Sequence, residues 1–585
     1  MQSLGRAWRR SCTLNKNKIM NIFQRTSKKI RFAIAVIFIS GLAMVSQSFK
    51  DDYFEISKNL DIFATLFREV NLYYVDEIQP GQLIKTGIDA MLESLDPYTN
   101  FIPEDDIEDA RFMTTGQYGG IGALIRTKDD LIVIAEPYED APAAKADLRA
   151  GDVIIEIEGK STKGKNTSDV VKVLKGQPNT PVKLLIKREG EEKPIEKTIM
   201  REEIKVNNVP YYGMIDDKIG YIKLTGFTQD AGREVKDALT KLKENPALEG
   251  VVLDLRGNPG GLLREAINIV NVFVEKNIDI VSTKGKVKEW DKTYKSLNSP
   301  VDLTIPLAVL VNRSSASASE IVSGSIQDLD RGVIIGQRSF GKGLVQTSRP
   351  LSYNTQLKIT TSKYYIPSGR CIQAKDYSHR NEDGSVGTVP DSMIKEFSTR
   401  AGRKVYDGGG VIPDVSLSIK EYTPISRSVM SNNIIFDFAT LYRIKHPEIT
   451  SAKSFTITPE LFNEFSEFIA TKDYSYKTES EELLAEWQKV AEREKYFEAA
   501  KSEFEQLKKK IEYDKKADID KSKDQLSELL IDEIASRYYF QKGRIESSFG
   551  YDVELKKAVE ILKDKTFYKD ILSGKYVEEV KKKGK

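Results

Sequence analysis

Residues 251–261 have the sequence VVLDLRGNPGG, and this stretch decides the fold of the central part of the chain. Residues 251–255 predict a buried strand, residues 257–261 a tight glycine turn, and residues 262–274 a helix. The same rhythm returns downstream, with a strand predicted over residues 306–311, a helix over 319–329 and a strand over 332–336. Buried strands that alternate with helices predict an α/β layer with a largely parallel sheet, and we assign residues 204–420 to it.

The chain has 585 residues, and its other parts predict a multidomain α/β protein. Residues 115–203 alternate short apolar runs with glycines and two helical stretches, which predicts a small β domain. Residues 421–585 are charged and helical in pattern, which is typical of a packing or partner-binding region with a solvated face. Residues 50–114 form a predicted helical arm. Its apolar side chains recur at helical steps: Ile56, Leu60, Phe63, Phe67, Val70 and Tyr74.

Residues 1–49 carry the pattern of a signal peptide or an N-terminal membrane anchor. Lys28, Lys29 and Arg31 precede an apolar run over residues 32–45. Such a run rises only about 21 Å as a helix, short of the roughly 30 Å of a membrane core, so an ordinary buried helix stays open as well. Met1 and Met20 are both candidate first residues. We expect export to the periplasm or to the periplasmic face of the inner membrane.

The composition disfavours several classes of function. The formal net charge is +2, from 89 basic and 87 acidic residues, so nucleic acid is not an expected partner. Two cysteines cannot supply a disulfide framework or a thiolate metal cage, and we expect no metal and no cofactor. The two histidines, His379 and His446, lie among polar residues typical of solvated loops. If the chain has a side-chain nucleophile, its base is therefore predicted not to be histidine.

The first candidate for chemistry is Ser317, in residues 314–320 with the sequence SSASASE. This segment lies between a predicted strand and a predicted helix, where small side chains leave room for a substrate to approach the backbone. Taken alone, it is also typical of a plain serine-rich loop with a helix N-cap, in which Glu320 occupies the favourable first turn.

The second candidate is Lys342, in residues 336–343 with the sequence GQRSFGKG. The glycines and the lysine have the spacing of a phosphate-binding P-loop. However, Gly343 replaces the Ser or Thr that binds magnesium, and residues 344–348 are β-like where that loop needs a helix. Nucleotide hydrolysis is therefore disfavoured.

Lys342 can instead serve as a base if its surroundings keep it neutral. A free lysine titrates near 10.4, so only about one molecule in 2,500 carries the neutral amine at pH 7. A mostly apolar pocket, walled by Phe340 and the following β-type run, would lower the pKa of Lys342 through desolvation. A serine activated by a neighbouring lysine is an established alternative to histidine.

Together these motifs resemble the carboxyl-terminal processing peptidases, a tail-specific family with a Ser-Lys dyad. The resemblance covers roughly residues 50–420. Its further motifs are DLRGNPGG at 254–261, PSGR at 367–370, GGG at 408–410, PD at 413–414 and LDPY at 95–98.

This resemblance implies an α/β, crotonase-like peptidase core with assigned roles. Ser317 is the implied nucleophile, Lys342 the base that deprotonates it, and Gln346 the residue that orients the lysine amine. The backbone N–H groups of Ala318 and Gly261 would form the oxyanion hole.

The β domain over residues 115–203 resembles a PDZ domain. Its implied carboxylate-binding loop includes Gly120, Ile121, Gly122 and Ala123, whose amides can point at an anion. Asp147 is a departure, because the family usually has glycine there, and this leaves the local helix end undecided.

We therefore expect a serine endopeptidase that captures the C-terminal tails of exported or envelope proteins and cleaves them by acyl-enzyme chemistry. The expected partners are proteins or peptides with accessible C-termini, and the helical arms make a homodimer plausible. A catalytically silent PDZ scaffold and a P-loop nucleotide hydrolase are the alternatives. A scaffold has no use for Ser317 and Lys342 at the spacing of the family.

Overall fold

The computed structural model describes residues 53–472 and 476–576. The predicted signal peptide or anchor over residues 1–49 lies outside the described residues. The chain separates into two units, Met1–Met91 and Leu92–Lys585.

The helical arm that the sequence predicts over residues 50–114 begins in the first unit and continues into the second. Helix α1 covers residues 53–73 and helix α2 begins at Pro80 and ends at Glu93. Several side chains of the predicted apolar stripe are exposed, including Ile56 at 58% and Leu60 at 64%. In the second unit, strand β1 (Asn100–Ile102) and helix α3 (Ile107–Thr115) precede the β domain.

The small β domain is an antiparallel sheet with two helices, as predicted. Its strands run in the order β3-β4-β5-β7-β8, β6 pairs with β5, and β2 pairs with β9. Helix α4 (Pro142–Lys145) and helix α5 (Thr167–Leu174) flank this sheet. The strands are β2 (Gln117–Gly120), β3 (Ala123–Lys128), β4 (Leu131–Pro137), β5 (Val153–Ile157), β6 (Lys160–Ser161), β7 (Pro181–Lys187), β8 (Ile195–Met200) and β9 (Glu202–Lys205).

The backbone of Asp147 shows how helix α4 ends where the related family usually has glycine. This residue has φ 54°, the left-handed conformation that glycine adopts most easily and aspartate tolerates. Its carboxylate pairs with Arg149 at 2.8 Å and with Arg188 at 2.9 Å. These pairs lower the pKa of Asp147, although its partial burial acts in the opposite direction. The substitution for glycine is therefore accommodated.

The central region follows. Its five predicted elements between residues 250 and 336 agree with the structure to within one residue at each end, whereas the strands Asp279–Gly285 and Lys292–Lys295 were not predicted. The elements of this region are β10 (Tyr211–Met214), β11 (Ile219–Lys223), α6 (Ala231–Leu242), β12 (Gly250–Asp254), α7 (Leu263–Phe273), β13 (Asp279–Gly285), β14 (Lys292–Lys295), β15 (Leu307–Val311), α8 (Ala318–Asp328), β16 (Val333–Gly336), β17 (Leu344–Pro350), β18 (Gln356–Tyr365), β19 (Lys375–Arg380), β20 (Val386–Thr388), β21 (Glu396–Ser398), β22 (Lys404–Tyr406) and β23 (Val415–Ser416).

Two sheets organise this region. The main sheet has the order β10-β11-β12-β15-β16-β23, and its strands are parallel except for β10. Fully buried runs such as β12 and β15 explain why the sequence there is continuously apolar. A second, antiparallel sheet joins β1, β18, β13 and β14, with β17 paired to β18. The loops that leave β15 and β16 carry the two candidate segments.

The remaining helices are α9 (Pro424–Ser431), α10 (Ile434–Lys445), α11 (Pro459–Ala470), α12 (Glu479–Arg493), α13 (Phe497–Lys516), α14 (Asp518–Lys521), α15 (Lys523–Ser548), α16 (Val553–Lys563) and α17 (Lys565–Leu572). Helix α15 is interrupted at Tyr539 and Phe540, where the backbone is not helical.

The last two helices belong to the core of the main sheet. Leu555 and Ile561 of α16 and Ile571 of α17 are buried in one cluster with Val252 and Leu310 of that sheet. The opposite face of the sheet is covered by α6, α7 and α8. The sequence predicts one separate helical region over residues 421–585, and the packing of α16 and α17 on the main sheet was not predicted.

Candidate active site

Ser317 stands immediately before helix α8 in a strained backbone conformation, with φ 56° and ψ −112°. A positive φ at a residue with a Cβ persists only where the surroundings enforce it. Here the Ser317 N–H donates to Glu320 Oε2 at 2.8 Å, and the Ser317 carbonyl accepts from the Tyr364 hydroxyl at 3.1 Å. A sharp, strained strand-to-helix turn of this kind presents a serine hydroxyl to substrate in nucleophile elbows.

The glycine turn after β12 lies directly against Ser317. A Cβ placed on Gly260 would come within 2.6 Å of the Ala316 carbonyl oxygen and 2.9 Å of the Ser317 Cβ. Gly260 also has φ 95°, so only glycine fits this close approach without strain. The same Cβ would come within 2.8 Å of the nitrogen of Ala318, the first residue of α8, so the turn that contains Gly261 lies close to Ala318. Within the described residues, neither of their N–H groups donates a hydrogen bond. Their role as an oxyanion hole stays a prediction.

Glu320 joins the two candidate segments, a role that the sequence analysis did not give it. This glutamate is fully buried. Its Oε2 accepts from the Ser317 N–H at 2.8 Å and from the Lys342 N–H at 2.9 Å. Its Oε1 accepts from the Ser339 hydroxyl and the Gly341 N–H, both at 2.6 Å. Burial raises the pKa of Glu320, and these hydrogen bonds oppose the rise. One carboxylate thereby fixes the backbones of Ser317 and Lys342 relative to each other.

Lys342 is half-buried, and its amine lies 4.2 Å from the centre of the Tyr98 ring. Desolvation, assisted by the positive charge of Lys358, lowers the pKa of Lys342 to about 8. This is the direction that a lysine base requires. The expected aromatic wall was wrongly placed, because Phe340 is 53% exposed and Tyr98 lies against the amine.

Within the described residues, no hydrogen bond joins the Ser317 hydroxyl to the Lys342 amine. Catalytic hydrogen bonds are often long in free enzymes and tighten when substrate binds. The structure thus brings the backbones of both residues together on Glu320, while the lysine side chain extends to Tyr98.

Gln346 lies on β17, at an irregularity in the pairing of β17 with β18. Its side-chain N–H donates to the Thr360 hydroxyl at 3.1 Å. No hydrogen bond to Lys342 is present among the residues that the structure describes, so its predicted orienting role stays a prediction.

The DLRG part of the glycine motif secures helix α16. Asp254 is fully buried and accepts hydrogen bonds from the Tyr221 hydroxyl at 2.7 Å and from Arg256 at 2.7 Å. Arg256 also pairs with Asp552 and Glu554 of the α16 N-terminus, at 2.6 Å each. Burial alone would raise the pKa of Asp254, but the adjacent cations hold it well below its usual range. The side chains of Asp254 and Arg256 therefore connect the start of the glycine turn to helix α16.

The implied PDZ carboxylate loop borders a cavity of about 200 Å³. Ile121, Gly122 and Ala123 line it on one side, and Val171 and Leu174 of α5 line it on the other. Gly122 has φ 71°, and a Cβ there would meet the Ala141 Cβ at 2.4 Å. Gly120 ends β2 and pairs with Glu202. Strand β3, which starts at Ala123, lies at the edge of its sheet, so its open side can pair with an added strand.

Other kinds of site find little support in the described part of the chain. Across residues 53–472 and 476–576, His, Cys, Asp and Glu side chains form no group suited to a metal ion. None of the helices described there has the length and apolar character needed to span a bilayer. Lys342 is followed by strand β17, where a P-loop would continue as a helix. The side chain of His379 is 85% exposed and pairs with Asp376.

Family models match three parts of the chain. The model described as peptidase family S41 matches residues 218–392, which include Ser317 and Lys342. A PDZ domain model matches residues 133–188, after the carboxylate loop. A model described as the C-terminal helical domain of a probable PDZ-protease matches residues 425–562.

Curated proteins are similar over most of their length. A carboxy-terminal-processing protease of Bartonella bacilliformis is 37% identical over 375 residues, which cover 63% of this chain and 83% of that protein. A probable CtpA-like serine protease of Staphylococcus aureus is 32% identical over 443 residues, or 75% of this chain and 87% of that protein. Among solved structures, the photosystem II D1 C-terminal processing protease is 27% identical and covers 61% of this chain and 92% of its own, with a TM-score of 0.33.

Proposed function

The chain belongs to the S41 family of C-terminal processing serine peptidases and carries a PDZ domain, and on that premise we propose that Ser317 and Lys342 form its catalytic dyad. The proposed substrates are exported or envelope proteins, captured by their C-terminal tails. The observation that carries the dyad is the shared Glu320 oxygen, which accepts from the backbone N–H of Ser317 and from that of Lys342.

The proposed chemistry is acyl transfer. The neutral Lys342 amine takes the proton of the Ser317 hydroxyl while Ser317 Oγ attacks the scissile carbonyl carbon. The N–H groups of Ala318 and Gly261 stabilise the oxyanion, and each such donor contributes about 3 to 4 kcal/mol to transition-state stabilisation. The Lys342 ammonium then protonates the leaving amine. Water hydrolyses the acyl-enzyme with the same lysine as base.

The lowered pKa of Lys342, about 8, makes this chemistry feasible near neutral pH. At pH 7 about one amine in ten is then neutral, against about one in 2,500 for a free lysine. In the proposed orienting role, Gln346 would leave the Thr360 hydroxyl, to which it donates in this structure, and contact the lysine amine.

Trapping the covalent intermediate tests the dyad. After brief reaction with an activated ester, trypsin should release the peptide of residues 314–331, and mass spectrometry should find the acyl group on Ser317. The Lys342→Ala variant should not accumulate this adduct. An acyl group on another serine of that peptide, formed at the rate of ester turnover, would contradict the assignment.

We propose that the PDZ domain captures the free carboxylate of a substrate tail. The tail would extend β3 as an added strand, and its terminal side chain would enter the cavity beside Val171 and Leu174. Amidating the terminus removes charge-assisted hydrogen bonds of about 1.5 to 3 kcal/mol, which predicts a roughly ten- to hundred-fold loss of affinity. Equal cleavage of matched free-acid and amidated substrates below saturation would overturn tail reading.

We also propose export, because a basic flank precedes an apolar run in residues 28–45. A retained segment would anchor the enzyme to the membrane, with the active domain in the periplasm. Protease added to intact spheroplasts should digest the active domain. Protection until lysis would contradict this location.

A second copy of the chain is the proposed partner of the exposed stripe on α1, where Phe63 is 48% exposed. Light scattering should report a dimer for the wild-type protein and a monomer for a Leu60→Glu, Phe63→Glu variant. A monomeric wild-type protein at micromolar concentration would contradict it.

A further inference from the structure

The LDPY motif, residues 95–98, contributes the first three residues of a turn over residues 96–99 beside Lys342. Asp96 Oδ1 accepts from the N–H groups of Tyr98 and Thr99 at 2.8 and 2.9 Å, and its Oδ2 accepts from the Thr99 hydroxyl at 3.2 Å. Asp96 and Thr99 are both buried. Strand β1, which follows at once, pairs with Gln356 to Lys358 of β18. The turn therefore holds a fixed position on the sheet that carries Gln346.

The Tyr98 ring has a neighbour on two sides. The Tyr377 ring packs edge-on against it, with centroids 6.0 Å apart and planes at 85°. The Lys342 amine stands 4.2 Å from the Tyr98 centroid, well inside the range of a cation–π interaction. This ring is thus held in place by protein on one side and contacts the base on the other.

The same turn is linked to Gln346 through Thr360. Gln346 donates to the Thr360 hydroxyl at 3.1 Å, and the Thr360 N–H donates to the Thr99 hydroxyl at 3.2 Å. The Lys342 amine therefore contacts Tyr98 directly, and the Gln346 side chain is connected to Thr99 through Thr360.

We propose that Tyr98 is a positioning residue for the catalytic base: its ring face binds the protonated amine of Lys342 and holds it apart from the Ser317 hydroxyl in the free enzyme. This inference rests on the proposed role of Lys342. It adds an aromatic residue, from the segment that precedes the PDZ domain, to the groups that set the position and pKa of the base. The LDPY motif would then act on the active site as well as on packing.

The charged groups around the Lys342 amine show in which direction the pKa should change when the Tyr98 ring is removed. Lys358 of β18 lowers the pKa of Lys342, after the larger effect of burial, while Asp96 and Glu320 raise it. An aromatic face stabilises the ammonium form, so it acts in the same direction as these carboxylates. Removing the ring should therefore lower the pKa of the base. Because the neutral amine is the active form, the acidic limb of the pH profile should move to lower pH.

The test is the pH dependence of kcat/KM for a short fluorogenic peptide. Tyr98→Leu should shift the acidic limb downward by about 0.4 to 1.5 pH units, the range of a partly buried cation–π contact. Tyr98→Phe keeps the ring face and should retain the wild-type limb. Tyr353→Leu is the matched control for the substitution itself, since Tyr353 is 91% exposed.

A second measurement reads the lysine without catalysis. In a Ser317→Ala background, the rate of Lys342 acetylation as a function of pH, followed by mass spectrometry, reports the pKa of the amine. Tyr98→Leu and Tyr98→Met, whose side chain is longer and unbranched, should both lower it, and the folded state of each is checked by circular dichroism. Both variants are used so that poor folding of one does not decide the result.

The outcomes separate the two levels of the argument. An unchanged or raised amine pKa in folded Tyr98→Leu and Tyr98→Met, or an equal shift in Tyr98→Phe, would overturn the ring-face proposal. Wild-type cleavage by Lys342→Ala would instead overturn the dyad itself. A downward shift confined to the two variants that lack the ring supports the proposal.

Discussion

Replacing Glu320 with glutamine separates the positioning of the active site from its chemistry. Within the described residues, the carboxylate forms no hydrogen bond with the side chains of the proposed dyad. It accepts from the N–H groups of Ser317, Lys342 and Gly341 and from the Ser339 hydroxyl. Glutamine has nearly the same shape, but one of its acceptor oxygens becomes an NH₂ donor.

The expected magnitude follows from these contacts. The Ser339 hydroxyl can rotate to accept from the new NH₂ group, whereas the Gly341 N–H beside it cannot. At least one buried amide therefore loses its acceptor, which costs about 1 to 3 kcal/mol. The backbone must shift to relieve this, and a displacement of about 1 Å between reacting groups can lower a rate on the order of 100-fold. We expect Glu320→Gln to lower kcat by about 10- to 100-fold with little change in KM.

Thermal unfolding and peptide cleavage, measured on the same samples, check this expectation. Glu265→Gln is the matched control: Glu265 is also a buried glutamate in the first turn of a helix, and it accepts from the Gly232 N–H at 2.8 Å. It should lower the melting temperature without a comparable loss of kcat. Wild-type kcat in Glu320→Gln, or an equal loss of kcat in Glu265→Gln, would refute the reasoning.

Three further predictions test the surroundings of the site. The cleavage rate should fall about tenfold per pH unit below the Lys342 pKa of about 8, and Lys358→Met should raise that pKa, moving the acidic limb of kcat/KM upward on the order of 0.5 pH unit. Gly260→Ala should lower both melting temperature and kcat, whereas Gly159→Ala, at a positive φ with no atom nearby, should affect only stability. Arg256→Met removes the cation that joins Asp254 to Asp552 and Glu554, although Lys223 still pairs with Asp254 at 3.2 Å, so it should cost about 3 kcal/mol and expose helices α16 and α17 to limited proteolysis.

The strands and helices of the main sheet between residues 250 and 336 follow from the sequence to within a residue at each end, whereas β13 and β14 of the second sheet do not. A short, continuous apolar run such as residues 307–311 is typical of a buried parallel strand, and the glycine turn at residues 257–261 marks where β12 ends. These signals are local, which is why they suffice.

The contacts of the site join residues that are far apart in the chain, and several of them were misassigned or not predicted from the sequence. The aromatic neighbour of Lys342 was expected at Phe340, two positions away, but it is Tyr98, more than two hundred residues upstream. Glu320 has the sequence pattern of a helix cap, and nothing in that pattern reveals that its second oxygen reaches Gly341. A glutamate that only caps its helix and one that also binds a second loop have the same local sequence, because the second loop is brought to the glutamate by the fold.

Helices α16 and α17 illustrate the same limit in packing. Their apolar faces are visible in the sequence, but an apolar face does not identify the surface that covers it. Their partners, Val252 and Leu310 among them, lie far earlier in the chain. Charge pairs such as Arg256 with Glu554 likewise join segments that no spacing rule connects.

The most direct test of the account is the cleavage of one unstructured protein substrate by Ser317→Ala and by Lys342→Ala, each shown to be folded by its melting temperature. The account predicts that both variants lose cleavage and that the double variant is no worse than either, because each change removes half of one acyl-transfer device. Near wild-type turnover by either folded variant would contradict it.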